Sequence, residues 1–329
     1  MTKRKILVTG ANGLLGHQVV FQLLKQSYDI RIVVRSRKNI FFDTTKVELI
    51  EGNFYDYETL KTAALGCSAI IHIAAITATN LLQYKDYHKI NVEASAQIIA
   101  VANELNIQNL VYVSTANTIG YGNQKQAANE ESKIQFPFTE SFYAQSKLEA
   151  EQLFDDASKS EGRHVAIIHP SFMIGDFDTK PSSGKLLLMA YKKRIMIVPS
   201  GGKNFVSASS VAEMICDSIQ KGKNGTHYLA TDRNMSFADF YRLQSKIAKY
   251  PQRIFTVPNF ILILAGWFGD FLRKVGIKTD LCSRNIRQLL IREYYNNSKA
   301  VGVFGPPTKT IETAISEALS WFKKNKMIK

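Results

Sequence analysis

The chain has 329 residues, 45% of them apolar and 21% charged, with a formal net charge of +14. That is enough apolar material for one large α/β domain, or two joined domains, without covalent staples. Cys67, Cys216 and Cys282 lie far apart with no Cys-x-x-Cys pairing, which argues against a disulfide framework or a zinc site and suits a reducing cytoplasm.

In chain order, short β-branched runs alternate with segments of helical period. Strands are predicted at 5–9 (KILVT), 30–34, 47–50, 69–74, 110–114 and 164–169, with helices starting near Gly13, Tyr57, Lys85 and Ser141. Strict alternation predicts an α/β fold over residues 1–168: a doubly wound parallel sheet of Rossmann type, with right-handed crossovers and helices on both faces. Glycine, proline and serine then punctuate the chain in GDFDTKPSSG and VPSGGKNF before shorter helices. A smaller, mostly helical substrate-binding region over 169–329 is expected, with a segment near 203–230 returning to the main sheet. A substrate is expected in the cleft beside the carboxyl ends of the strands.

Directly after the first strand comes TGANGLLGHQVV. Glycines placed between strand one and helix one allow a tight turn, close approach of backbone to a pyrophosphate, and close helix packing. The helix end adds free N–H groups and the positive pole of its dipole. Gly10, Asn12, Gly13, Leu14, Leu15 and Gly16 are therefore the expected dinucleotide contacts. At the end of strand two, where an acidic residue would bind the 2′-hydroxyl of NAD, the chain reads VVRSRKN. Arg35, backed by Arg37 and Lys38, suits a 2′-phosphate, so NADP(H) is the expected cofactor and NAD(H) the alternative.

Tyr143 and Lys147 stand four residues apart near a helix start, hence one above the other on one face. With TGANGLLG, GNFYD (52–56), HIAA (72–75), NVEAS (91–95), VYVSTA (111–116), YAQSK (143–147) and HPSFMIG (169–175), they resemble in order and spacing the extended short-chain dehydrogenase/reductase superfamily. The pattern is that of the NAD(P)-dependent epimerase/dehydratase family, and within it of the branch of dihydroflavonol reductases and hydroxysteroid dehydrogenases. The resemblance implies a catalytic set of Thr115, Tyr143 and Lys147, with Ser114 a rival for the hydroxyl role. A tyrosine titrates near pH 10, so a neighbouring cation is needed to make its phenolate accessible. The resemblance also places Asn53 and Phe54 near adenine, Ala74 and Ala75 along the middle of the cofactor, Lys147 at the nicotinamide ribose, and Pro170 and Met173 at the nicotinamide. Asn91 matches an asparagine that is often structural.

Departures narrow the activity. Ala116 and Asn117 occupy the places where dehydratases of this type carry an Asp-Glu pair, and Phe172 stands where nucleotide-sugar epimerases carry asparagine. In SASSVA (207–212), where the family commonly shows aspartate, Ser209 or Ser210 is expected to cap the next helix. The expected activity is NADP(H)-dependent reduction of a ketone or aldehyde of a small apolar substrate, Tyr143 giving the proton. A sugar epimerase and a non-catalytic NADP-binding scaffold are the alternatives.

The basic residues are dispersed, with small clusters at Arg35 to Lys38, Lys192 to Arg194 and around Lys323; they read as a solvated surface, and no nucleic-acid partner is expected. The apolar segment 257–272, followed by Arg273, Lys274 and Lys278, is too short and glycine-broken to span a bilayer. It is read as a cap on the substrate cleft, in preference to a peripheral membrane contact. A homodimer through the helices near 85–105 and 141–161 would follow family habit. The opening MTKRKILVTGAN reads as neither a signal peptide nor a span, so a cytoplasmic location is expected.

Overall fold

Seven parallel strands form the main sheet. The structure, a computed structural model, describes residues 4–78, 81, 83–277, 279 and 281–329; Lys278 lies outside them. The first half runs β1 (Lys5–Thr9), α1 (Leu14–Lys25), β2 (Asp29–Val34), β3 (Glu48–Glu51), α2 (Tyr57–Ala64), β4 (Ala69–His72), α3 (Tyr84–Tyr87), α4 (Ala94–Glu104), β5 (Asn109–Val113), α5 (Phe142–Ser158) and β6 (His164–Pro170). A π-helical turn at His88–Glu93 joins α3 to α4.

The second half runs β7 (Phe172–Ile174), α6 (Lys185–Ala190), β8 (Ile195–Val198), β9 (Gly202–Ser207), α7 (Ala208–Lys221), β10 (Thr226–Ala230), β11 (Arg233–Ser236), α8 (Phe237–Ile247), β12 (Arg253–Thr256), α9 (Asn259–Lys274), α10 (Ser283–Leu290), β13 (Arg292–Glu293), α11 (Ser298–Phe304) and α12 (Ile311–Lys324). The main sheet has the order β10-β6-β5-β4-β1-β2-β3, so β10 returns beside β6. Its strands read as near-continuous apolar runs because helices cover both faces. One apolar layer holds Val19, Leu23, Val211 and Ile215 of α1 and α7 against the sheet, and the opposite layer holds Leu60, Ile98, Ala150 and Phe154 of α2, α4 and α5.

Beyond Pro170 the structure is richer in strands than the sequence predicts. A second sheet joins β7, β9, β11 and β13, and a ribbon pairs β8 with β12. A third apolar cluster, with Phe205 stacked on Phe240, holds this region together beneath α8 and α12. Phe172 packs edge-on against Phe205 as part of it. The serine cap expected at Ser209 or Ser210 is not formed: α7 begins at Ala208, and Ser210, inside its first turn, accepts from the Lys309 amide at 3.1 Å instead.

Strand order reverses between β1 and β4, whose carboxyl ends open a crevice. The chain leaving β1 and the chain leaving β4 are in contact there, at Gly10 and Ala74.

Candidate active site

Gly10 has φ +76, a left-handed conformation that glycine adopts without strain, and a Cβ there would lie 2.8 Å from the Ala74 amide nitrogen. A Cβ on Gly16 would sit 2.1 Å from the Gly10 carbonyl oxygen, so this position sets how closely α1 packs on the turn. Gly13 caps α1 with no side-chain bond, and the first turn carries no acidic residue. The first amides of α1 are thus left for an anion, and these residues fit a pyrophosphate. The side chain of Leu15 belongs to the core, which leaves its backbone for such a contact; Asn12 and Leu14 are half-buried beside it.

Arg35 stands exposed at the end of β2, while Arg37 is drawn to Glu51 at 3.6 Å. Asn53 is exposed, and the Phe54 ring lies half-buried with its centroid 6.0 Å from that of His72. Buried Ala74 donates its amide to Thr9 Oγ1 at 3.3 Å, and Ala75 is half-buried after it. Pro170 ends β6 and Met173 lies half-buried in β7, both on the strand-end side of the sheet. Asn91 is structural: its Oδ1 accepts from the Ile76 amide at 2.8 Å and its Nδ2 donates to Ser146 Oγ at 2.9 Å, tying the loop after β4 to α5.

Ser141 caps α5, accepting from the Ala144 amide at 3.4 Å, and so sets where the helix presents Tyr143. Tyr143 is half-buried and borders a cavity with Leu81, Tyr87 and Phe142 on one side and Asn285 and Gln288 of α10 on the other. Burial pushes its hydroxyl up to about 12, opposed by a hydrogen bond with Thr115. Ser114, the rival hydroxyl, is turned away and donates to Glu151. Lys147 is buried, donates to the Val113 carbonyl at 2.8 Å and lies 4.1 Å from the centre of the Tyr112 ring. Burial pushes its ammonium down to about 7, against the opposing pull of Glu151.

Beyond Lys147 lies a set of groups that motif reading missed. Burial pushes the Glu151 carboxyl up to about 7, with the Ser114 and Thr118 hydroxyls and then His227 and Lys147 acting the other way. Its Oε1 is 3.6 Å from His169 Nδ1, which also lies 3.2 Å from the Thr118 hydroxyl and 3.2 Å from the Thr115 carbonyl. His169 Nε2 faces His227 Nδ1, and His227 Nε2 meets Asp155 Oδ1 at 2.8 Å. Burial holds His169 at about 3, hence neutral. For His227 burial works against the charge, but the hydrogen bond and charge of Asp155 outweigh it and the net shift is upward. Tyr143, Lys147, Glu151 and Asp155 recur every four residues, a signal for one helical stripe that the sequence does carry.

The model of the NAD dependent epimerase/dehydratase family matches residues 6–233. A putative dihydroflavonol 4-reductase of Synechocystis is 27% identical, covering 98% of this chain and 95% of its own length. A 3 beta-hydroxysteroid dehydrogenase/Delta 5-->4-isomerase of Mycobacterium tuberculosis is 21% identical, covering 97% and 90%. Among solved structures, the crystal structure of gox2253 superposes with a TM-score of 0.86 at 24% identity, covering 99% of this chain and 100% of that one.

Proposed function

The chain belongs to the NAD dependent epimerase/dehydratase family, in the extended short-chain dehydrogenase/reductase group, and is an NAD(P)-dependent oxidoreductase; from that premise we propose that it reduces a ketone or aldehyde of a small apolar substrate with NADPH. The observation that carries this reading is Tyr143, bordering a cavity and under the influence of the Thr115 hydroxyl, with buried Lys147 one turn on.

A bound nicotinamide supplies the hydride. The protein's part is orientation and charge. Tyr143 gives its proton to the carbonyl oxygen as negative charge develops there, and the Thr115 hydroxyl hydrogen-bonds the same oxygen. The Lys147 ammonium steadies the phenolate left behind. Glu151 favours the charged form of Lys147, since its field opposes the effect of burial. Arg35 binds the 2′-phosphate that distinguishes NADPH.

The dihydroflavonol and hydroxysteroid named in the two relatives above support an apolar substrate. Calorimetric titration with NADPH and NADH, followed by turnover of aryl and alicyclic ketones, tests the reading. Tighter NADPH binding with ketone-dependent oxidation is expected. Tight NADH binding with no carbonyl turnover would overturn it.

A further inference from the structure

Helix α9 turns its apolar side outward. Phe260, Leu264, Trp267, Phe268, Phe271 and Val275 share one stripe, and each is 55% to 64% exposed. The opposite side carries Gly266 and Gly269, which let α10 and the chain entering it approach closely: a Cβ on Gly266 would lie 3.0 Å from Ser283 Cα, and one on Gly269 would meet the Leu281 carbonyl at 1.8 Å. It is α10, through Asn285 and Gln288, that faces the cavity at Tyr143. The stripe of α9 therefore points away from the cleft.

The apolar surface extends past the helix. In the β8–β12 ribbon Ile197 pairs with Phe255, at 67% and 55% exposure, and Ile195 is exposed beside them. The start of α9 is pinned to this ribbon: the Val257 amide donates to the Val198 carbonyl at 2.9 Å, and Ser200 Oγ donates to Asn259 Oδ1 at 2.6 Å. Apolar surface of this extent marks an interaction site.

The surrounding charge is of one sign. Lys192, Lys193 and Arg194 lead into Ile195, Lys249 precedes β12 and Arg253 opens it, and Arg273 and Lys274 close α9. Within 185–203 there is no carboxylate, and within 246–277 Asp270 stands alone, accepting from the Ser283 amide on the α10 side. No helix among the described residues is long and apolar enough to cross a membrane. An apolar stripe with Trp and Phe at its centre, fringed by cations and free of outward acids, is the composition of a helix lying in a lipid interface. We propose that α9 and the β8–β12 ribbon dock this enzyme on the surface of an anionic phospholipid bilayer, a location that would give it access to membrane-dissolved apolar substrates.

The test uses the full chain and vesicles of phosphatidylcholine alone or mixed with phosphatidylglycerol. Co-sedimentation with the mixed vesicles, weaker with the neutral ones and relieved by salt, is expected. The chain has two tryptophans; in a Trp321→Phe background the Trp267 emission reports on α9 alone and should shift to the blue on vesicle binding. Leu264→Ser with Phe268→Ser should lower the partition coefficient by at least about tenfold, with NADPH binding unchanged. Failure of the unsubstituted protein to sediment with anionic vesicles would overturn the proposal. So would a vesicle-free blue shift that tracks self-association, which would assign the face to a second copy, or one produced by an apolar ketone alone, which would make α9 a lid.

Discussion

The imidazoles of His169 and His227, 58 positions apart in sequence, meet Nε2 to Nδ1 at 2.8 Å and stack with ring centroids 5.0 Å apart. One must donate and the other accept. With Glu151 on one flank and Asp155 on the other, the pair joins a buried carboxyl to a half-exposed one. Glu151, His169 and His227 could also gather round a cation, but a 2.8 Å separation between two ring nitrogens is that of a hydrogen bond.

The tautomer of His169 should follow the charge of Glu151. When Glu151 is ionised, His169 Nδ1 carries the proton and donates to the Thr115 carbonyl or the Thr118 hydroxyl. When Glu151 is protonated, Nδ1 is free to accept and Nε2 carries the proton toward His227. Nitrogen-15 NMR of labelled histidine should show His169 neutral but changing tautomer near pH 7, and Glu151→Gln should freeze one form. An unchanging tautomer in both proteins would sink the idea.

Tyr143→Phe should lower kcat by about 10²-fold or more while leaving NADPH affinity nearly unchanged. Single-turnover kinetics with calorimetry decide it; retained turnover would remove Tyr143 from the proton-donor role.

Glu151→Gln should move the alkaline limb of the kcat/KM profile to lower pH. The carboxylate raises the pKa of Lys147 while burial lowers it, so removing it lets Lys147 lose its proton sooner. A limb unmoved, or moved upward, would contradict the pairing.

Arg35→Ala should weaken NADPH binding about ten- to a hundredfold, the worth of one or two charge-assisted hydrogen bonds, and leave NADH binding nearly unchanged. Equal losses for both cofactors would show that Arg35 does not read the 2′-phosphate.

Acid should destabilise the fold before its surface carboxylates are protonated. Burial holds both His72 and His169 at about 3, below their ordinary 6.5. Groups depressed in this way stabilise fully above 6.5 and progressively less as pH falls toward 3. Tm should drop across that window, and His72→Gln should flatten the slope even though it lowers Tm at neutral pH.

The sheet was legible because a parallel strand covered on both faces is a local signature, as in β1, β4 and β6. The glycine loop and the Tyr143–Lys147 pair were legible for the same reason: each sits within a single turn or helix. The second sheet was not, because it pairs Phe172 with Phe205 and Gly202 with Arg292, contacts that only the folded chain creates. His169 and His227 were hidden likewise, each lying in an apolar strand where it reads as filler. For α9 the period was visible, but its outward orientation follows from two glycines whose partner helix no local pattern announces.

The stripe on α5 makes helix length a functional quantity. Each residue added or lost between Tyr143 and Asp155 would turn everything below it by about 100°, carrying Glu151 away from Ser114 and Asp155 away from His227 while leaving the helix intact. Substitution on the outer face of α5 should be cheap, whereas a one-residue insertion should disconnect Tyr143 from its buried polar chain. The sequence of this helix is free to drift in a way that its count of residues is not.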